Sequence, residues 1–101
     1  MRPNAKRRAR LYLEQFAGPI DGYDHAAAIR AMPCCATGIL GPSEPHHVKS
    51  RGAGGKWTDL VPLSFVAHNL VHAMGRESFE REFNVDLVAI AAGLIPEDYD
   101  D

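Results

Sequence analysis

The spacing of apolar positions along this 101-residue chain changes several times, and each change marks an element. Residues 4–17 (NAKRRARLYLEQFA) place Leu11, Leu13 and Phe16 on one side of a helix behind a basic first half. Asn4 can cap that helix, and Gly18-Pro19 ends it. Asp21-Gly22 marks a turn, and the Ala-rich run 24–32 predicts a short helix capped by Asp24, passing into an extended piece near Met32. After a turn at 39–43, alternation from Pro45 to Lys49 predicts a strand with His47 and Lys49 on one face and His46 and Val48 on the other. A Gly-rich loop, Ser50 to Trp57, connects it to a second strand, Asp59 to Leu63. Trp57 is expected to pack on this hairpin region or on the N-terminal helix.

Ser64 is placed to cap a helix from Phe65 to Met74, which Gly75 stops. Phe65, Val66, Leu70 and Met74 are expected to face the core, with His68 and His72 as a polar seam pointing at the hairpin. A second helix spans Ser78 to Phe83, with Phe79 and Phe83 four residues apart and Asn84 as the break. A third spans Asp86 to Ala92, capped by Asp86 and ended by Gly93. The acidic tail, residues 96–101, is expected to be disordered. The pattern is that of a single α+β domain covering residues 1–101, with its core between residues 33 and 83.

Composition narrows the class. With 46% apolar and 24% charged residues, the chain reads as a soluble globular protein, and no apolar run approaches the ~20 residues of a bilayer span. No membrane partner is expected, and no apolar segment of secretory type follows the basic start. Two adjacent cysteines make no disulfide framework, which fits a reducing cytoplasm. The net charge of −2 conceals a division: residues 1–56 carry nine Lys/Arg against four Asp/Glu (+5), and residues 57–101 carry two against nine (−7). The basic half holds Arg2, Lys6, Arg7, Arg8 and Arg10, and then Lys49, Arg51 and Lys56 beside a histidine pair. A polyanion such as DNA would favour that side.

Four of the five histidines carry candidate chemistry. His68 and His72 are four apart on a predicted helix, so they share a face and can grip one metal ion. A third ligand can come from the adjacent pair His46-His47, leaving the other member free for chemistry. His25 has no partner at ligand spacing and is expected at the surface. The helix reads HNLVH, without the Glu after the first His that a zinc peptidase needs, and the Gly-rich loop lacks the GK[ST] ending of a nucleotide-binding loop.

The order HH, RGAGG, DLVPL and then HxxxH, from Glu44 to Gly75, resembles the HNH endonucleases, whose ββα-metal module cuts nucleic acid. The FERE-x-NVDL segment, the KRRARLYLEQF opening and the PCxxxG step are similar to a phage and prophage branch of that family. The resemblance implies a small ββα-metal finger flanked by an N-terminal helix and two short C-terminal helices. It implies His46, His68 and His72 as ligands of one divalent metal and His47 as general base in DNA phosphodiester hydrolysis. Magnesium or manganese would be the working ion, and zinc or nickel possible occupants of purified protein. Lys49, Arg51, Lys56, Arg7 and Arg8 would contact the nucleic-acid backbone, and phage or host recombination or packaging proteins are conceivable partners.

The chain departs from the family pattern at two sites. Where relatives carry a four-cysteine structural zinc, this chain has Cys34, Thr37, Ser64 and Ala67, so no structural zinc is expected and Cys34 and Cys35 read as small buried or half-buried groups. The family's middle Asn is replaced by Asp59, which as a carboxylate only accepts hydrogen bonds. Asp59 could accept Nδ1–H of His47 and leave Nε2 as the base, accept loop N–H groups, or ligate the metal directly. Damage at this position would leave a non-catalytic DNA-binding module with a structural metal; a small interaction protein stapled by its histidines is a third reading.

Overall fold

The computed structural model describes residues 5–18, 24–49 and 55–97. Helix α1 (Ala5–Tyr12) runs into a π-helical turn, Leu13–Ala17, that closes at Gly18 with φ 97°. A Cβ at Gly18 would lie 3.3 Å from the indole of Trp57, so this position combines a backbone that favours glycine with a close packing contact. Asp24 then caps α2 (His25–Arg30) by accepting the Ala27 N–H at 3.1 Å, and it also accepts the Tyr12 hydroxyl at 2.9 Å. One carboxylate thereby joins the start of α2 to the N-terminal helix.

Strand β1 (Glu44–His47) pairs antiparallel with β2 (Leu60–Leu63) in the register Glu44↔Leu63, Pro45↔Pro62, His46↔Val61 and His47↔Leu60. The Val48 N–H bonds the Asp59 carbonyl just beyond the pair. Counting back from there, Pro45 and Pro62 face each other at a position that requires no ladder bond, which is how two prolines fit one hairpin. Both strands are shorter than the sequence pattern predicts. A 3₁₀ turn, Trp57–Asp59, takes the start of the second, and the first ends at His47.

Every residue of β2 is buried, because the strand is covered on both faces. Val61 and Leu63 pack with Cys34, Ala67, Val71, Phe79, Leu87 and Ala91. Leu60 packs with Ala26 and Ile29 of α2. The remaining helices are α3 (Phe65–Met74), α4 (Arg76–Phe83) and α5 (Leu87–Gly93). Ser64 accepts the Ala67 N–H at 3.2 Å, Gly75 stops α3 with φ 85°, Asn84 ends α4 in the left-handed region, and Asp86 caps α5 through the Ala89 N–H. The architecture is a small α+β domain with a two-stranded antiparallel sheet, and among the described residues no helix is long and apolar enough to cross a membrane.

Two expectations are corrected. Helix α3 meets the core through Ala67 and Val71, whereas Phe65 and Val66 are 68% and 63% exposed and Leu70 and Met74 also reach solvent. Small Ala67 lets the helix lie close on the hairpin, and the histidine seam occupies the flank beside it. The bulkier apolar residues are thereby turned outward. His25 is buried, not superficial: α2 points it inward, and its ring meets Trp57 edge-on at 5.0 Å between centroids. Burial lowers its pKa, with Asp24 opposing the shift. The cap at Asn4, the turn at Asp21-Gly22, Arg51 with most of the Gly-rich loop, and residues 98–101 of the tail lie outside the described residues.

Candidate metal centre

The hairpin and α3 bring three histidines together. His46 is on β1 opposite Val61, and its pleat turns it towards α3. His68 and His72 stack one turn apart on the facing side of that helix. Ring centroids are 5.0 Å apart for His46 and His68, 5.2 Å for His46 and His72, and 4.9 Å for His68 and His72. One potential ligand atom from each lies within 4.8 Å of the others. Nitrogens bound tetrahedrally at ~2.0–2.1 Å would be about 3.3 Å apart, so small side-chain rotations suffice to enclose an ion. Three imidazoles and no cysteine suit a borderline or first-row divalent ion, and they leave coordination positions for water or substrate.

The cluster is graded in exposure. His46 is buried, His68 half-buried and His72 exposed, so the site opens on one side. Burial, followed by the neighbouring imidazoles His68, His72 and His47, lowers the pKa of His46 to about 4. His46 is therefore held neutral, the form in which imidazole binds metal, across the whole physiological range.

His47 projects to the other face of β1. Its Nε2 lies 2.9 Å from the Gln15 carbonyl, and its ring meets Phe16 edge-on at 5.2 Å. A carbonyl can only accept, so Nε2 carries the proton and donates it, leaving the lone pair on Nδ1. This reverses the tautomer expected had Asp59 oriented the ring. Asp59 instead accepts the Lys56 N–H at 2.8 Å, while its own N–H bonds the Lys56 carbonyl at 2.9 Å. Of the roles open to Asp59 in the sequence, this geometry is that of a loop fastener. The N-terminal segment, 32 residues away in sequence, holds the imidazole.

Lys49 and Lys56 are exposed at the two ends of the loop, and Arg7, Arg8 and Arg10 are exposed on α1. The contact of Gln15 and Phe16 with His47 brings the end of the helical segment that bears these arginines to the hairpin. A cavity of about 590 Å³ opens beside Lys49, Thr58, Asp59 and Arg76 with Val88 and Ile95 on its apolar wall; none of the clustered histidines lines it. Cys34, Thr37 and Ser64 do converge. Burial raises the pKa of the Cys34 thiol, but hydrogen bonds from the Thr37 side chain and the N–H groups of Ser64, Thr37 and Ala36 outweigh it and bring it to about 7. Ala67 is buried in the same cluster, and of these four positions only Cys34 bears sulfur.

Glu44 is the site residue that sequence reasoning missed. Its Oε1 lies 2.8 Å from Nδ1 of His68. The signal was its place two residues before His46, on the same strand face. Comparisons with protein-family models, with curated proteins and with solved structures found no match to this chain.

Proposed function

We propose that this chain is a metal-dependent endonuclease of HNH type, hydrolysing DNA phosphodiester bonds at a ββα-metal finger formed by β1, β2 and α3. The observation that carries the reading is the convergence of His46, His68 and His72, with His47 adjacent on the same strand and its Nε2 at 2.9 Å from the Gln15 carbonyl. His46, His68 and His72 would hold one divalent ion. When bound, such an ion supplies positive charge to a phosphate oxygen and the departing 3′ oxygen.

His47 would take a proton from the attacking water at Nδ1, while the Gln15 carbonyl keeps Nε2 protonated and the ring in place. Imidazole suits this task because its ordinary titration range borders neutral pH, and a positioned general base contributes about 10²–10⁴ in rate. The exposed cations Lys49, Lys56, Arg7 and Arg8 would hold the sugar–phosphate backbone. Asp59 would keep the loop closed through Lys56.

One observation favours a second reading. His47 is packed on Phe16 and already hydrogen-bonded, as a structural histidine would be, which suits a DNA-binding module whose metal only stabilises the fold. Cleavage of supercoiled plasmid with magnesium, manganese, nickel or zinc separates the two. The nuclease reading expects metal-dependent relaxation that His47→Ala reduces at least 100-fold while metal uptake persists. DNA binding without relaxation under any of the four ions would favour the binding module. Equal cutting by wild type and variant would remove His47 as the base.

A further inference from the structure

We infer that Glu44 is a positioning residue for the metal site, holding His68 in the tautomer that directs Nε2 to the ion. The inference rests on the three-histidine reading and extends it by one residue. A neutral imidazole has one N–H and one lone pair, and whichever nitrogen donates a hydrogen bond cannot ligate. Glu44 Oε1 is 2.8 Å from Nδ1 of His68, so the carboxylate claims the Nδ1 proton and the lone pair falls on Nε2. A histidine side chain in water favours the other tautomer, with the proton on Nε2, so the carboxylate reverses the preference that solvent alone would set.

Placement supports the role. Glu44 opens β1 opposite Leu63, one residue before the Ser64 cap, and His68 lies in the first half of α3. Strand alternation puts Glu44 on the same face as His46. The pair thus bridges the strand that presents one candidate ligand and the helix that presents the other two. The carboxylate also sets a negative charge behind a site whose three ligands are neutral. Carboxylates behind ligand imidazoles typically raise metal affinity about 10–100-fold by fixing orientation and increasing basicity. The Glu44 side chain is 46% exposed, so water can partly replace it and the loss on removal is graded, not total.

The test measures Zn²⁺ binding by calorimetry for wild type, Glu44→Ala and Glu44→Gln, and reads the His68 tautomer in the metal-free proteins from ¹⁵N-edited imidazole spectra. Glu44→Ala is expected to bind zinc about 10–100-fold more weakly, with the His68 proton redistributed towards Nε2. Glu44→Gln, whose amide oxygen still accepts from Nδ1–H, is expected to keep the wild-type tautomer and recover part of the affinity. Unchanged backbone amide signals along β1 and β2 would show that the hairpin is intact. Equal affinity of wild type and Glu44→Ala overturns the inference alone. So does Glu44→Gln with the wild-type tautomer but the affinity of Glu44→Ala, because the tautomer would then contribute nothing to affinity and the carboxylate's charge would account for all of it. A wild-type chain that takes up no zinc removes the three-histidine site, and this role with it.

Discussion

Acidifying the metal-free protein should destabilise it through His46. The buried ring has its pKa lowered from 6.5 to about 4, chiefly by burial and then by the adjacent imidazoles. Below pH 6.5 the unfolded chain begins to bind a proton at this position, and the folded chain does so only near pH 4. The stability that depends on neutral His46 is therefore complete above about pH 6.5 and is lost progressively as pH falls through that interval. At about 1.4 kcal/mol per pH unit, the loss from this residue amounts to roughly 3 kcal/mol, a large part of the ~5–15 kcal/mol expected for a small domain. Buried His25 acts in the same direction, so wild type must be compared with His46→Gln. Urea titrations between pH 7 and pH 4, with chelator present, can be followed by the fluorescence of buried Trp57, the single tryptophan. Wild type should lose more stability than the variant by roughly 3 kcal/mol over that range. Parallel pH profiles for the two proteins would refute the argument that His46 is held neutral by its surroundings.

Two further substitutions probe the frame around the site. Phe79 is fully buried against Phe83 at 4.5 Å between ring centroids, so Phe79→Ala should cost about 3–5 kcal/mol in urea unfolding without altering the zinc stoichiometry of the protein that remains folded. Asp59→Asn retains an acceptor for the Lys56 N–H and should keep stability, and on the nuclease reading plasmid cleavage, near wild type, whereas Asp59→Ala should cost about 1 kcal/mol, loosen the loop and on that reading lower cleavage. If Asp59→Asn lost cleavage as fully as Asp59→Ala, the carboxylate would have a role beyond fastening the loop.

Elements whose ends depend on neighbouring residues are legible in the chain alone. Asp24, Ser64 and Asp86 each accept the N–H three residues on, and Gly75 and Asn84 end their helices with positive φ, because these bonds and backbone preferences are local chemistry. The His68–His72 spacing was legible for the same reason, since one helical turn sets it. Strand alternation likewise separated His46 from His47. The rotation of α3 is not local in this way, because it depends on what the helix lies against. Phe65 and Leu70 were the stronger apolar signals, yet Ala67 and Val71 are the residues that fit against β2 and leave His68 and His72 facing His46. His25 has no partner at ligand spacing in the sequence, whereas Trp57, 32 positions later, covers it. The two bonds that set tautomers, Glu44 to His68 across 24 residues and Gln15 to His47 across 32, follow no local period. Short-range rules specify which groups are available on each element, and the packing of β1 between the N-terminal segment and α3 decides which nitrogen each imidazole presents.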